Sequence, residues 1–545
     1  MTTRATSDCV LAIDLGTSGP KVAVVSVEAE VLGWRTERTA LHLSEGGGAE
    51  QDPEDWWRAI CAASRAVLEA TGLSGGRSAD GKARIVAVSV TAQWAGTVAV
   101  DGEGKALRPA ITWMDSRGAR YMDAHCGGAL RVEGYGVSKL VRWIRRTGGA
   151  PSLVGKEPTA HLLWLRHNEP EVFAAAAHFL EPKDWINRRL TGRATATTDS
   201  ICLHWITDNR DIGAIAYDDA LVEQLGVPRA KLPELVAATE VIAELTAGAA
   251  EDLGLAPLVT GGAAVQVMGG TPDVHSAAVG SGAVGDGELH LYFGTSSWLS
   301  GHTRAKKIDL FHNIASLPSA LPGRYLIGDS QETAGACFEH LRDHLLFPDD
   351  GLSGPPPEDF FERAEALASA APAGSRGLIY TPWLYGERCP TPDHTIRAGF
   401  HNLSLASTRG ELLRSVYEGV AFNTRWLLQY VEKFVGRPAP SIRFIGGGAS
   451  SALWSQILAD VLDRPIEQVA QPRACNARGA ALLASLGLGY LKVEDIPARV
   501  RVARRYEPRA DAREVYDANF AAFLDIYAKN KAIHRRLNGA RPGSS

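Results

Sequence analysis

The sequence predicts an α/β protein built from two related domains, on three observations. At 545 residues, 45% of them hydrophobic, the chain is too long for one ordinary domain and can fill two or three cores. The stretch CVLAIDLGTSGPKVAVVS from Cys9 has a shortened echo, ELHLYFGTSSWLSGH, from Glu288, which indicates an internal duplication. Beyond that echo, strand-like and helix-like segments alternate, as is typical of an α/β domain.

The composition of the chain indicates which kinds of molecule it binds. The chain has 57 basic and 62 acidic residues and a formal charge of −5, so no global field favours nucleic acid or an anionic membrane. The seven cysteines are scattered without a CxxC pair, which argues against a disulfide framework or a zinc site and favours a reducing cytoplasm. No signal-like segment opens the chain and no apolar run approaches the roughly 20 residues that span a bilayer. We therefore expect a cytoplasmic protein that binds small molecules.

The first part of the chain predicts a β-meander, a helix and a buried strand. Three apolar runs from Val10 to Trp34 are separated by turn-like stretches. A helix is predicted from Pro53 to Ala70, because Asp52 can cap it and apolar residues recur at helical spacing. The next strand is predicted from Ala83 to Val90. From Leu162 the pattern becomes helical, with segments that end in Pro or Gly.

The main domain boundary is predicted after a Gly- and Ala-rich segment from Thr260 to Gly285, which directly precedes the echo. Beyond it we expect strands at RYLIG, GLIYT and IRFIGG and helices from about Gln331, from Ser407 to Val435, from Ser450 and from Asn476. PDDGLSGPPPEDF is predicted to be a loop. The predicted units are an N-terminal domain at 1–284, a C-terminal domain at 285–505, and a helix with a disordered tail at 506–545.

A Gly-Thr-Ser turn between two strands can hold phosphate oxygens. Backbone N–H groups and two hydroxyls converge at Gly16, Thr17 and Ser18, although one such turn is more often an ordinary hairpin. The second copy at 294–296 favours two domains that offer hairpins to one polyphosphate. Asp14, just before the first turn, would then lie near that polyphosphate with Mg²⁺ between them; the alternative is a solvated strand end.

A third glycine cluster lies at 446–448, between an apolar strand and a helix. Such a junction lets the backbone approach a nucleotide closely, and a packing role is equally compatible with it. The cluster has neither the GxGxxG nor the Walker spacing. A dinucleotide fingerprint and a P-loop are therefore excluded.

These motifs together resemble a known family. AIDLGTSGPK, WMDSR, GTSSW, GLIYTPWLYGERCPTPD, GFHNLSLASTRGELLRSVYEGVAF and FIGGGASSALWSQILADVLDRP resemble the FGGY carbohydrate kinases in order and spacing, from about residue 10 to 490, and look most similar to its xylulokinases. The resemblance implies a two-domain actin-like, hexokinase-type ATPase fold of ribonuclease H-like topology with duplicated mixed sheets. It also implies ATP and Mg²⁺ as cofactors, a small sugar or polyol as substrate, and a possible homodimer.

The resemblance assigns the nucleotide and metal residues one by one. Asp14 would bind the metal, and the helix start at 332–336 would lie against the nucleotide, unless it is plain tight packing. The implied nucleotide-binding residues are Gly16, Thr17 and Ser18 in the first hairpin, Gly294 and Thr295 in the second, Gly335 in the helix start, and Gly447, Gly448, Ala449 and Ser451 beside the adenosine.

The resemblance also implies that Asp273 is the catalytic base, since it matches the Gly-x-x-Asp element that precedes the second hairpin in relatives. A sugar hydroxyl that attacks a phosphoryl group needs a carboxylate to accept its proton. The alternative from the residues alone is a first-turn helix residue held by the helix dipole. His275, two residues on, is expected to be a packed histidine.

On the sugar side the implied substrate residues are Gln93, Trp94, Asp115 and Asp273. Asp115 and Arg117, in WMDSR, can equally orient a loop. Four tryptophans lie beside the motifs and can either stack on sugar C–H surfaces or fill the core: Trp94, Trp113, Trp298 and Trp383.

Two departures from xylulokinases affect the acceptor. Relatives usually carry Gln-Met-His-Gly where this chain has QWAG, so Ala95 replaces an imidazole, and His161 stands where relatives often have Lys. The predicted function is a xylulokinase-like transfer from ATP, D-xylulose to D-xylulose 5-phosphate. The alternatives are a kinase of another ketose or polyol, and a non-catalytic actin-like ATPase or sugar sensor.

Overall fold

The computed structural model describes residues 7–539. Within that range, the first half of the chain contains 18 strands and 10 α-helices. The strands are β1 (Ser7–Gly16), β2 (Gly19–Ser26), β3 (Val31–Thr36), β4 (His42–Ser44), β5 (Gly48–Gln51), β6 (Ala83–Ala92), β7 (Val98–Val100), β8 (Ala110–Ile111), β9 (Arg131–Val132), β10 (Tyr135–Gly136), β11 (His178–Leu180), β12 (Thr195–Thr197), β13 (Thr207–Asp208), β14 (Ala216–Tyr217), β15 (Glu234–Val236), β16 (Val241–Glu244), β17 (Gln266–Met268) and β18 (Thr271–Pro272). The helices are α1 (Pro53–Ala70), α2 (Ala119–Cys126), α3 (Val137–Arg146), α4 (Pro158–Asn168), α5 (Pro170–Ala175), α6 (Pro182–Thr191), α7 (Asp219–Leu225), α8 (Ala247–Leu253), α9 (Ala256–Thr260) and α10 (Asp273–Ser281).

The second half is richer in long helices. Its strands are β19 (Leu289–Phe293), β20 (Ser297–Thr303), β21 (Ile308–Asp309), β22 (Ile314–Pro318), β23 (Tyr325–Gly328), β24 (Ile379–Thr381), β25 (Gly399–His401), β26 (Ile442–Gly446), β27 (Ile466–Val469) and β28 (Val502–Tyr506). Its helices are α11 (Ala336–His340), α12 (Phe360–Ala370), α13 (Arg409–Val435), α14 (Ala452–Leu462), α15 (Cys475–Gly487), α16 (Ile496–Arg499) and α17 (Arg513–Asn538).

The two large sheets repeat one strand pattern. In the first sheet the order is β16-β17-β6-β1-β2-β3, with the antiparallel β1–β2 hairpin next to β6, which runs parallel to β1. In the second, the antiparallel β19–β20 hairpin lies next to β26, which runs parallel to β19. In both sheets the next strand is again parallel and the edge strand beyond it is antiparallel. The duplication read from the two Gly-Thr-Ser turns therefore extends over whole sheets.

Local sequence determines α1 as predicted. The Asp52 side chain accepts a hydrogen bond from Glu54 N at 2.9 Å, and Pro53 occupies the first helical position. The predicted apolar face is fully buried in the first domain's core: Trp56, Ile60, Ala63 and Val67. A cap and a continuous apolar stripe suffice to place a helix without tertiary information.

The helices α10 and α15 pack tightly between the two sheets. A Cβ on Gly479 would lie 1.8 Å from Ser276 O, and one on Gly280 would lie 2.0 Å from Cys475 O. The small side chains of α15 also pack against Val10 and Ala12 of β1. Glycine on both helices thus permits a crossing that joins the two halves of the molecule.

Four sequence expectations differ from the structure, lie outside it or stay untested. The helix expected from Gln331 begins at Ala336, because the preceding residues bond to the second hairpin, and it continues as a π-helical turn at Leu341–Leu346. The helix within 506–545 exists as α17, but its Tyr516 and Phe523 belong to the second domain's core. The tail NGARPGSS was predicted to be disordered, but its first residue, Asn538, ends α17, and 540–545 lie outside the described residues. The 284/285 boundary stays a prediction.

Candidate active site

The first Gly-Thr-Ser turn joins β1 to β2, with Gly16 paired to Gly19 across the hairpin. Gly19 has φ +130°, and a Cβ there would lie 2.1 Å from Glu37 O, so the turn requires glycine. The Thr17 hydroxyl donates to Gln93 Oε1 at 3.1 Å and accepts from Trp113 Nε1 at 3.0 Å. That hydroxyl is therefore engaged within the protein, whereas Ser18 is exposed at the tip.

The second turn joins β19 to β20, and the start of α11 lies directly against it. Ala334 N and Ala336 N donate to Thr295 O, and Gly335 N donates to Gly294 O at 2.9 Å. A Cβ on Gly335 would lie 2.5 Å from Gly294 O. The close approach predicted for Gly335 is thus made to the hairpin itself, and it fixes the conformation of the turn.

Asp14 and Asp273 form an electrostatically coupled pair of carboxylates. Asp14 is almost buried near the end of β1, with Lys21 Nζ 3.4 Å from its Oδ2. Asp273 is the first residue of α10, is half-buried, and accepts a hydrogen bond from Val274 N at 2.8 Å. Burial and, secondarily, the charge of Asp14 raise the pKa of Asp273 to about 7. A carboxyl with that pKa can accept and release a proton at neutral pH.

The Asp14 and Asp273 carboxylates suit a Mg²⁺ ion that is also held by the phosphates of a nucleotide. Within residues 7–539 no group of three or more His, Cys, Asp or Glu side chains is placed to hold an ion. Mg²⁺ is commonly held by one or two carboxylates together with substrate phosphates and water. Burial and, secondarily, the Asp14 charge disfavour ionised Asp273, and a bound cation would relieve the repulsion between the two carboxylates. The residues therefore fit a metal that arrives with the nucleotide.

The QWAG segment follows β6, and its polar atoms are used within the protein. Gln93 Nε2 donates to Gln51 Oε1 at 2.8 Å, while its oxygen accepts from Thr17. Trp94 Nε1 donates to Ser200 O at 2.8 Å. The predicted substrate residues here shape the site, but neither of these side-chain groups is left free for an acceptor.

Ala95 has φ +61°, and the carboxyl of Glu181 supports the next peptide by accepting from Gly96 N at 2.9 Å. Burial and the charge of Asp184 raise the pKa of Glu181 well above its ordinary value. Glu181 was not expected from sequence, since no motif connects the start of α6 to this segment.

His275 and His161 are both packed in the interior. His275 lies edge-on to Trp94 with ring centroids 5.0 Å apart, and neither ring nitrogen has a partner among the described residues. His161 Nδ1 lies 3.2 Å from Thr97 Oγ1, and burial lowers the pKa of His161 to about 4. His161 is therefore neutral at pH 7 and cannot replace the charge of a lysine.

Asp115 orients a loop, which is one of the two roles that the sequence allowed for it. It is buried and accepts hydrogen bonds from Ala49 N at 3.0 Å and from Arg117 N and Nε, both at 2.9 Å. The Arg117 guanidinium in turn lies 3.9 Å from the centre of the Trp164 ring. The acceptor role of Asp115 stays a prediction.

The glycine cluster at the end of β26 leaves the backbone of its last two residues, Gly447 and Gly448, at least partly accessible. Gly446 has φ +86° and lies against Phe293 O, while Gly447 is exposed at the turn. Ala449 is buried, Gly448 packs on Phe293, and the Ser451 hydroxyl caps α14 by accepting from Trp454 N at 3.0 Å. Backbone at 447–448 is thus the accessible part of the predicted adenosine side.

The tryptophans divide between site and core. Trp113 contacts the first hairpin through Thr17, whereas Trp383 is buried in the second domain's core. Trp298 stacks on Tyr292, with ring centroids 3.8 Å apart and an interplanar angle of 5°. The sequence analysis did not identify Tyr292. Tyr292 lies two residues before Gly294, and residues two apart on a strand lie on the same face, so this spacing could have indicated it.

Models of the two domains of one known family match most of the chain. The N-terminal domain of the FGGY family of carbohydrate kinases matches residues 9–280, and its C-terminal domain matches residues 285–488. The chain belongs to the FGGY family of carbohydrate kinases. It is therefore an ATP-dependent sugar kinase, and the expectation drawn from the motifs is confirmed.

Named relatives of this FGGY kinase span its full length at low identity. It is 26% identical over 540 residues to the xylulose kinase of Bacillus subtilis strain 168, covering 98% of this chain and 99% of that protein. It is 27% identical over 532 residues to the L-xylulose/3-keto-L-gulonate kinase of Escherichia coli K12, covering 97% and 98%.

Solved structures agree on the fold. The xylulose kinase structure from Rhodospirillum rubrum superposes with a TM-score of 0.78 at 27% identity, covering 97% of this chain and 100% of that one. A ligand-bound xylulose kinase from Lactobacillus acidophilus gives 0.81 at 23% identity, covering 97% and 100%. This FGGY kinase has the predicted two-domain actin-like fold, and within residues 7–539 no helix is long and apolar enough to cross a membrane.

Proposed function

We propose that this kinase transfers the γ-phosphoryl group of Mg·ATP to a hydroxyl of a small ketose, with D-xylulose to D-xylulose 5-phosphate as the leading reaction. The half-buried Asp273, whose pKa is raised to about 7 beside Asp14, is the observation that carries the proposal. The names of the full-length relatives support the choice of a xylulose-like acceptor.

In the proposed reaction the acceptor oxygen attacks the γ-phosphorus and the bond to the β-phosphate oxygen breaks. Asp273 accepts the proton from the attacking hydroxyl, and ADP leaves. Mg²⁺, when bound with the nucleotide, neutralises charge on the phosphates, and Asp14 is the residue proposed to hold it. The chain itself orients the reactants and keeps Asp273 partly shielded from water.

The two hairpins are proposed to hold the phosphates. Backbone N–H groups at Gly16 to Ser18 and at Thr295 are the proposed donors. The Gly294 N–H donates to Ser296 O at 3.0 Å, so Gly294 contributes by closing the second turn. Gly335 acts by fixing the second turn, and backbone at Gly447 and Gly448 is proposed to lie along the adenosine. Ala449 and Ser451 support this segment from behind.

A kinase is favoured over a non-catalytic ATPase or sensor by the retained carboxylates. A sensor has no need of a half-buried carboxyl at the start of α10, whose burial disfavours its ionised form. Both hairpins and both acidic residues are present in the chain, and the effect of the Asp14 charge on the pKa of Asp273 supports a shared site. We further propose a cytoplasmic enzyme without a nucleic-acid or membrane partner. Light scattering of the purified protein tests whether it forms the homodimer that the resemblance implies.

The deciding experiment measures ADP release over a panel of ketoses, polyols and related sugars. We expect release that depends on an acceptor and is lost in Asp273→Asn. Release that is equal with and without every acceptor would instead assign an ATPase. No release by wild-type protein that still binds ATP would favour the sensor.

A second candidate acceptor is a shorter or differently configured ketose or polyol. The Ala95 methyl cannot hydrogen-bond, the Trp94 N–H is committed to Ser200, and His161 is buried and neutral. An acceptor hydroxyl that meets an imidazole in relatives would therefore be left unpaired here, at a cost of about 1–3 kcal/mol.

The double variant Trp94→Met with Ala95→His tests this second candidate. Histidine tolerates the left-handed backbone of position 95 better than most residues. We expect kcat/KM for D-xylulose to rise relative to the best acceptor of the wild type. Wild-type protein that already prefers D-xylulose over the whole panel would overturn the second candidate and leave the first in place.

A further inference from the structure

Tyr292 is the one residue of β19 that is not fully buried. It pairs directly with Trp298 across the β19–β20 ladder and precedes the bend at Gly294 by two residues. Its side chain packs on the group of apolar residues that α10 and α15 place between the domains. Its place on the strand therefore brings an aromatic hydroxyl to the side of the sheet where Asp273 begins α10.

The ring of Tyr292 is held in one orientation. It stacks face to face on Trp298 at 3.8 Å, and Trp298 Nε1 donates to His290 Nε2 at 3.2 Å. Such a stack fixes both rotatable angles of the tyrosine before any ligand binds. A donor held in this way loses little entropy when it acts.

The hydroxyl lies over the bend of the second hairpin. A Cβ on Gly294 would lie 2.6 Å from Tyr292 Oη and 2.7 Å from its Cε1, so glycine leaves room for the phenol. Within residues 7–539 this oxygen forms no hydrogen bond. Burial, Asp273 and Asp14, in that order, raise the pKa of Tyr292, so the group stays a proton donor at any working pH.

We propose that the hydroxyl of Tyr292 donates a hydrogen bond to the γ-phosphoryl group while it moves from ADP to the acceptor. This inference rests on the proposed function of the site. Negative charge spreads over the phosphoryl oxygens in the transition state, and a fixed donor at that place stabilises it more than the bound ATP. The acceptor's proton still goes to Asp273, and Tyr292 keeps its own.

The variant Tyr292→Phe tests the proposal, since it retains the stacked ring and removes only the oxygen. We expect kcat to fall about 10- to 100-fold, as for loss of a hydrogen bond to a charged group, with KM for the acceptor unchanged. Tyr430→Phe is the matched control, because Tyr430, on α13, also stacks on another ring, that of His312, with ring centroids 3.7 Å apart. We expect this control variant to leave kcat unaltered. Thermal melting of both variants checks that the fold persists.

Binding of MgADP with aluminium fluoride, which imitates the phosphoryl group in transfer, separates contact from packing. We expect Tyr292→Phe to weaken this complex by about the same factor as kcat, while MgADP alone binds as to the wild type. Equal losses for both ligands, or no loss for either, would overturn the proposal. Absence of acceptor-dependent turnover in the wild type would refute the proposed function instead, and the binding comparison would still decide the role of Tyr292.

Discussion

At the scale of single residues, Asp273 opposes the stability of the fold. Burial and Asp14 disfavour its charged form and raise its pKa to about 7, far above the 3.8 of a free aspartate. The same shift suits a general base, since the ideal catalytic pKa lies near the working pH. A residue that only began a helix would gain from being ionised.

The first prediction concerns activity against pH. We expect kcat/KM to fall as pH drops below about 7, because only ionised Asp273 can accept the acceptor's proton. Asp273→Asn should lower kcat by roughly 10² to 10⁴-fold and leave ATP affinity nearly unchanged. Rate profiles from pH 5 to 9 measure both effects. Near-normal turnover of the variant would restrict Asp273 to a helix-start role.

The second prediction concerns stability against pH. The folded pKa lies above the unfolded one, so the folded state binds the extra proton and loses stability as pH rises from about 4 to about 7. Asp273→Asn cannot ionise, so its melting temperature should exceed that of the wild type at pH 8 but not at pH 4. Melting curves of both proteins at these two pH values measure the effect. A melting-temperature difference that is the same at pH 4 and pH 8 would contradict the raised pKa of Asp273.

The third prediction assigns Asp14 to the metal. Asp14→Asn should raise the Mg²⁺ concentration needed for half-maximal activity, while KM for the acceptor changes little. Asp8→Asn is the matched control, because Asp8 lies on the same strand but pairs with Arg84 at 2.9 Å. A magnesium titration identical to that of the wild type would exclude this role for Asp14.

At the scale of elements, the crossing of α10 and α15 connects the two sheets. Gly280 and Gly479 let the helix backbones meet at distances that no side chain tolerates. Asp273 begins α10, so the position of the proposed base depends on this crossing. Contact between these two helices thus couples the packing of the second domain to the chemistry at the first hairpin.

The fourth prediction tests that coupling with Gly479→Ala. The new Cβ would meet Ser276 O at 1.8 Å, so we expect a loss of stability of at least about 1–3 kcal/mol, as for overpacking, and reduced turnover. Gly248→Ala is the control, since nothing lies within 4 Å of its Cβ in α8 and alanine favours helix by roughly 1 kcal/mol. Denaturant titrations compare the two, and equal stability of both variants would contradict a tight crossing.

At the scale of the whole molecule, contacts also connect the two halves away from the hairpins. Lys156 Nζ lies 4.8 Å from the centre of the Tyr385 ring, and Lys306 Nζ donates to Asn209 O at 3.3 Å. A phosphoryl group in an open cleft would be lost to water, so transfer requires the halves to enclose both substrates.

The fifth prediction is compaction on binding. Small-angle scattering should show a smaller radius of gyration with an acceptor plus a non-hydrolysable ATP analogue than with either ligand alone. We expect this order because phosphoryl transfer is shielded from water only when the nucleotide and the acceptor are enclosed together. An unaltered radius of gyration at saturation would argue against closure.

Local rules determined much of the fold from the sequence. A meander, the capped helix α1 and the long helix α13 follow from short-range periodicity, turn residues and caps. The repeated Gly-Thr-Ser turn predicted two related sheets, because the same short motif needs the same strands around it. Asp14 was proposed from its place just before the first turn, whereas the role proposed for Asp273 came from the resemblance to the FGGY family; both roles stay predictions.

Only the tertiary structure decided how the polar atoms are used. Thr17, Gln93 and Asp115 bond to residues that are distant in sequence, so their engagement is invisible along the chain. Ser451 caps a helix, and Tyr292 reaches the site because β19 pairs with both β20 and β26. A hydrogen bond or a pKa depends on groups within a few ångströms, and the folding of distant segments brings those groups together.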